Sequence, residues 1–160
     1  MSISTRLKEL LDSSGVPYQH HTHAKHYTAA GTARAIHVSG KEMAKIVIVN
    51  TDGFLRMAVL PSDYMLDLKH LRFMTRSENL RLAKESEFKD LFPACEVGAM
   101  PPFGNPHGLP VLCDTMLQGN EFIEFNAGSH RDTVRMAFSD FKRLANPTMV
   151  DLVDYHPPAA

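Results

Sequence analysis

The sequence contains no tryptophan and only two cysteines, Cys95 and Cys113, among 160 residues. Two thiols make neither a zinc-type spacing nor a disulfide framework, so a reduced pair is expected. No apolar run approaches the ~20 residues of a membrane span. The N-terminus lacks the apolar region of a signal peptide. A cytoplasmic protein with no membrane partner is therefore expected. Neither sign of charge is in excess: 17 Lys and Arg stand against 18 Asp and Glu, for a net charge of −1. That balance excludes a polycation that grips nucleic acid by overall charge, so any such contact must be local. Gly-x-Ser-x-Gly, His-Glu-x-x-His and Walker patterns are also missing. No internal repeat or domain boundary is visible, and the length suits a single domain over residues 1–160.

What is present centres on Met43 to Asn50, an apolar run rich in β-branched residues, which suit a packed pleated surface. Asp52-Gly53 supplies the positive-φ residues of a tight hairpin, and a second apolar run follows from Phe54 to Leu60. In the first strand Ile46 and Ile48 point one way, Val47 and Val49 the other. Both faces are apolar, so the sheet should be covered on both sides. Lys45 sits at the mouth of this strand on the face of Val47 and Val49. A lysine there snorkels to water, finds a counter-charge or serves a ligand.

Around the hairpin, helices and short strands are mixed. Ser2 or Ser4 can cap a first helix with a stripe of Ile3, Leu7, Leu10 and Leu11, ended by Gly15 and Pro17. Tyr18 to His23 reads as a strand, and Thr28 can cap a second helix. A helix near Leu66 to Met74, a strand at Leu80 to Ala83 and a short helix at Ser86 to Phe92 come next. Val111 to Cys113 and Glu121 to Asn126 read as strands, with Gly119-Asn120 as a hairpin signal. Thr133 to Phe138 reads as the last strand, and Ser139 as the cap of the last helix. The tail from His156 is expected to fray. This mixture argues for an α/β or α+β fold around a mixed, curved sheet with flanking helices.

Two loops are candidate sites. Gly98 to Pro110 holds several glycines and prolines, which exclude regular helix or central strand and make a stiff loop. Glycines there let backbone N–H groups approach a ligand or a developing oxyanion. The plain alternative is a structural crossover. The second loop is Gly128-Ser129-His130, which offers a hydroxyl and an imidazole, or is simply a turn. His20, His21, His23 and His26 invite a zinc reading, but they lack cysteine or carboxylate partners in the sequence nearby. No metal and no cofactor are expected. Cys113 lies in an apolar strand and reads as core. Lys69, His70, Arg72, Arg76, Arg81 and Lys84 read as a solvated helix face or a phosphate-contacting edge.

Ala44-Lys45, Ala58-Val59-Leu60-Pro61, Gly98-x-x-x-Pro102-Phe103-Gly104, Leu109-Pro110-Val111 with Asp114, and Ala127-Gly128, in this order, resemble the YbaK/ProX family of aminoacyl-tRNA deacylases. The resemblance covers nearly the whole chain. It implies a partly barrel-like sheet and hydrolysis, in trans, of the ester between a wrong amino acid and tRNA. By resemblance Lys45 matches a functionally required lysine. Gly98, Ala99, Met100, Pro101, Pro102 and Phe103 fall at or beside the substrate loop. Gly128, Ser129 and His130 match the loop that bounds the amino-acid pocket, and a histidine there is similar to alanine-editing members. Lys45 is followed by Ile46, where several branches carry a polar residue. The resemblance implies the acceptor end of aminoacyl-tRNA as partner, with a synthetase as a further one. The rival readings are a non-catalytic module that binds tRNA or a synthetase, and a hydrolase of small aminoacyl conjugates.

Overall fold

The computed structural model describes residues 4–153. Ser2, Ile3 and the tail from His156, which the sequence pattern assigns to a cap, a helix stripe and a frayed end, lie outside that range. The fold is mixed α/β, built from two sheets. The larger sheet contains β2 (Ala44–Thr51), β3 (Phe54–Pro61), β4 (Leu80–Leu82), β5 (Val111–Asp114) and β8 (Thr148–Val150), in the order β4-β2-β3-β5-β8. β4, β2 and β3 pair antiparallel, while β3–β5 and β5–β8 are parallel. The smaller sheet is antiparallel, in the order β1-β7-β6, from β1 (Tyr18–Thr22), β6 (Phe122–Asn126) and β7 (Asp132–Ala137). An isolated bridge between Met43 and Glu124 joins the two, with the Glu124 N–H donating to the Glu42 carbonyl at 3.0 Å. Among the described residues the two sheets do not close into a barrel, and the mixed sheet with flanking helices is the part of the expectation that is seen.

Period-two patterning explains the packing. Ile46 and Ile48 of β2, Met57 and Val59 of β3, and Val111 and Cys113 of β5 face one core. Val47 and Val49, Ala58, and Leu112 alternate with them and face a second core. Alternate residues of a strand point to opposite faces, so one sequence pattern serves both layers. The first core lies against the smaller sheet, through Phe125, Val134 and Met136, and against α1 (Thr5–Ser14) and α6 (Phe138–Ala145). The second core lies under α3 (Leu68–Thr75), which contributes Leu71.

The local signals that survive are the caps and the turn. The Ser4 hydroxyl accepts from the Leu7 N–H, and Gly15 ends α1 at φ 69°. Thr28 caps α2 (Ala29–Ala35) and Asp67 caps α3. Asp52 and Gly53 take φ 53° and 91°, as the hairpin requires. Three expectations change. Gly119-Asn120 ends a four-residue helix, α5 (Thr115–Gln118), rather than turning a hairpin, because β5 and β6 belong to different sheets. Ser139 lies inside α6, whose N-cap is Ala137. β8 follows α6, so β7 is not the last strand. Between these elements α4 (Glu85–Phe88) and a 3-10 turn (Lys89–Leu91) lead to the loop that carries Gly98.

Candidate active site

The Gly98 loop is fixed at its far end by aromatic packing. Phe103 is buried, with its ring edge-on to Phe125 at 5.7 Å and to Phe141 at 5.4 Å. Ala99, Met100, Pro101 and Pro102 are buried beside it, whereas Gly98 is exposed. Gly104 has no room for a side chain against the Leu109 carbonyl, and its own carbonyl accepts from both the His107 and Leu109 N–H groups. The near end is a tight turn. The Ala99 N–H donates to the Glu96 carbonyl at 3.1 Å, and Gly98 sits at φ 83°. That is the sign required at the third position of a type II turn. The Gly98 N–H makes no hydrogen bond among the described residues.

The two loops singled out in the sequence meet here. The Glu96 N–H donates to the Gly128 carbonyl at 2.8 Å, and the Gly128 N–H donates to the Ala99 carbonyl at 2.9 Å. The Glu96 carboxylate accepts from the His130 N–H at 3.1 Å. The His130 Nε2 lies 2.8 Å from the Val97 carbonyl. A carbonyl only accepts, so Nε2 is the protonated nitrogen and Nδ1 a bare acceptor in the neutral ring. That Nδ1 is buried and has no partner. The His130 ring stands behind Gly98, 5.3 Å from the Tyr27 ring. Ser129 is fully buried. Its hydroxyl donates to the Asp132 carboxylate and accepts from the Arg131 and Asp132 N–H groups. Gly128 adopts φ 105°, and a Cβ there would strike Ser4 at the start of α1.

Across from Gly98 lies Lys45, half-buried at the first residues of β2 and in register with Leu60. Burial pushes its ammonium below the ordinary lysine pKa, and the negative charge of Asp63 partly offsets this. Gly40 leaves room for the Asp63 carboxylate, with which any Cβ would collide. Lys45 and Gly98 line one cleft of about 330 Å3, together with Tyr27, Thr28, Ala29, Ala30, Ile46, Ser62 and Asn126. Ala99 to Phe103 and Gly128 to His130 support this cleft from behind and do not line it. The Ser62 hydroxyl donates to the Gly40 carbonyl, and the Thr28 hydroxyl caps α2, so neither contacts a general base. Asn126 is 6% exposed, and its Oδ1 has no partner.

Sequence patterns do not reveal Asn126, Ser62 and the start of α2 as cleft residues. Asn126 is visible as a polar residue ending an alternating strand, but only the pairing of β6 with β7 buries it. The histidine cluster is divided among other partners. His20 Nε2 lies 2.6 Å from Asp132, His21 Nδ1 lies 2.8 Å from Glu124, and His23 Nδ1 lies 2.6 Å from the Ala24 carbonyl. Among the described residues no three metal-binding side chains converge. The Cys113 thiol is buried and pushed up to about 12, chiefly by desolvation, so it is a core group.

The model of the aminoacyl-tRNA editing domain matches residues 23–144, which include Lys45, Gly98 and His130. The chain belongs to this family. A curated relative, the multifunctional Ser/Thr-tRNA deacylase ProXp-y of Escherichia coli (strain K12), is 31% identical over 96 residues, 59% of this chain and 57% of the relative. The same protein from Escherichia coli O157:H7 matches equally. The match thus spans less than two thirds of the curated relatives' length. Among solved structures, hypothetical protein APE2540 aligns with TM-score 0.83 at 20% identity, over 93% of this chain and 99% of that one. A candidate trans-editing enzyme for prolyl tRNA synthetase aligns with TM-score 0.80 at 20% identity, over 94% and 96%. At these identities the structural likeness establishes the fold. No helix among the described residues is long and apolar enough to cross a membrane.

Proposed function

We propose that this editing-domain protein hydrolyses the ester of a mischarged aminoacyl-tRNA, acting in trans on a small amino acid. The observation that carries the proposal is that Lys45 and Gly98, whose N–H makes no hydrogen bond among the described residues, line one cleft. An aminoacyl ester is already activated, so hydrolysis needs a placed water and a stabilised oxyanion rather than a protein nucleophile. Among the described residues neither the Thr28 nor the Ser62 hydroxyl is hydrogen-bonded to a histidine or carboxylate that could activate it, which agrees with this. The Gly98 N–H would donate to the carbonyl oxygen as its charge develops. The Lys45 ammonium would hold the terminal nucleotide or the same oxygen. Water attacks the carbonyl carbon, aided by the free ribose hydroxyl of the substrate, and the ribose oxygen leaves. His130 acts by fixing the turn that presents Gly98, and Gly128 and Ser129 hold that turn from behind the cleft.

Within that proposal, the histidine at position 130 favours alanine. The buried, unpartnered Oδ1 of Asn126 favours a hydroxyl-bearing side chain instead, because it would accept a hydrogen bond from serine or threonine. The naming of the relative as a Ser/Thr-tRNA deacylase points the same way. A site that hydrogen-bonds a substrate hydroxyl discriminates more strongly than an apolar pocket, where one methylene is worth only about 1–3 kcal/mol. The partner would be the acceptor end of an aminoacyl-tRNA in the cytoplasm, with a synthetase as a further partner.

The test is deacylation of tRNAs charged with alanine, serine, threonine, cysteine and proline. Clearance of one or more small esters is expected. Asn126→Leu should spare the serine and threonine esters while leaving alanine clearance largely intact. If no ester is cleared at micromolar protein while tRNA still binds, the non-catalytic module replaces the hydrolase. Clearance that is indifferent to salt would favour a hydrolase of small conjugates.

A further inference from the structure

We propose that the outer face of α3 is an RNA-docking surface, on which Lys69, Arg72 and Arg76 receive the phosphates of the acceptor stem. The inference rests on the editing reading and adds to it where the tRNA body lies. A shallow groove of about 790 Å3 is lined by Lys69, Arg72, Phe73, Met74, Arg76 and Ser77. It is larger than the reaction cleft and shares no residue with it. Half of its lining residues are cations and none is an acid.

These cations are left uncommitted. Among the described residues Lys69, Arg72 and Arg76 enter no ion pair, whereas Arg81, Arg135, Arg143 and Lys8 each hold a carboxylate. Arg81, which the sequence places in the same basic stretch, is gripped at both terminal nitrogens by Glu87, at 2.7 and 2.8 Å. The Arg72 Nε donates to the Ser77 carbonyl, which fixes the guanidinium and leaves its other nitrogens for a ligand. The acids at the ends of the helix are largely engaged: Asp67 caps the His70 N–H, and Asp52 accepts from the Glu78 and Asn79 N–H groups. Glu78, next in the chain after Ser77, is the nearest acid in sequence and does not line the groove. In a chain of net charge −1, a local cluster is the only means of attracting a polyanion.

The groove also carries Phe73, 78% exposed, and Met74, 46% exposed. An exposed aromatic among cations suits ribose and base surfaces, with stacking added to charge. Its position fits the cleft. Lys45 shares its strand face with Val47 and Val49, and those residues pack in the core that Leu71 of α3 completes. Lys45 and α3 therefore lie on the same side of the larger sheet. A tRNA whose terminal ester sits at Lys45 can therefore carry its stem phosphates along that same side of the sheet.

The test compares the full chain with a Lys69→Gln, Arg72→Gln, Arg76→Gln variant, after matched melting curves show both folded. Binding of uncharged tRNA is followed over a salt series. The slope of log K against log salt should fall by about 0.9 for each phosphate that the variant no longer neutralises, and affinity at low salt should drop by at least ~10-fold. Deacylation is followed on full aminoacyl-tRNA and on aminoacyl-adenosine, which has no stem. The variant should lose kcat/KM on tRNA through KM and keep its rate on aminoacyl-adenosine. Unchanged affinity and slope would overturn the proposal and leave the groove to a protein partner. Equal loss on both substrates would overturn it as well. Failure of the wild type on both esters, with salt-dependent tRNA binding still weakened in the variant, would sink the hydrolase reading and leave the docking surface standing.

Discussion

The two walls of the cleft are held by different physics. The Lys45 wall is a strand end, set by apolar packing on both faces of β2. The Gly98 wall is a loop end, set by hydrogen bonds between segments 96–99 and 128–130 and by the anchor of Phe103. The first wall offers a side chain and the second offers a backbone N–H. It follows that the first can be altered without disturbing the fold, whereas the second changes geometry and stability together.

The largest stability effect should come from the anchor. Phe103→Ala removes a buried ring between Phe125 and Phe141 and should cost about 3–5 kcal/mol, the range for such truncations. Chemical denaturation measures it, and a destabilisation under ~1 kcal/mol, far below that range, would mean the loop is not held there. Gly98→Ala should cost about 1–2 kcal/mol, since the left-handed backbone disfavours a Cβ. Space is not the obstacle, because the added carbon would meet His130 at an ordinary 3.5 Å. The substitution keeps the backbone N–H, so kcat should fall only as far as the strained turn moves that donor away from the carbonyl oxygen. An unchanged rate in a destabilised protein would separate the turn from the chemistry. His130→Ala should cost a comparable amount, about 1–3 kcal/mol for the Val97 carbonyl left without its donor. It should also speed amide exchange across residues 97–99, and unaltered exchange would show that the imidazole does not hold the turn.

The smallest effect concerns protonation at the Lys45 wall. With its pKa lowered by burial, Lys45 loses its charge at a pH below the ordinary lysine value of 10.5. Activity that needs the ammonium is present below the shifted pKa and falls as pH rises through it. Asp63 raises that pKa, so Asp63→Asn should move the alkaline limb of kcat/KM to lower pH. A limb that stays in place after correction for spontaneous ester hydrolysis would detach the profile from Lys45.

Much of this arrangement is legible in the sequence because its signals are local. The β2–β3 hairpin is written in alternating apolar residues and Asp52-Gly53, and the stiff loop in its glycines and prolines. Lys45 falls on the face of Val47 and Val49 by simple alternation. The rest depends on contacts between distant residues. Nothing near Gly98 announces that His130 fastens it, or that Asn126 is buried beneath the cleft. β8 and α5 are too short for a periodic pattern, and the parallel pairing of β5 with β3 and β8 leaves no local mark. His20 and His21 resemble metal ligands until the carboxylates of Asp132 and Glu124, far along the chain, come to them.

The central claim is that Lys45 supplies chemistry and not fold. The most direct measurement is single-turnover deacylation of a cleared aminoacyl-tRNA by wild type and Lys45→Ala, with melting curves of both. The account predicts a loss of at least about 10²-fold in rate, on the scale of one preorganised charge-stabilising group, with the melting temperature unchanged. A variant that clears the ester at the wild-type rate, or one that loses activity only because it unfolds, would contradict it.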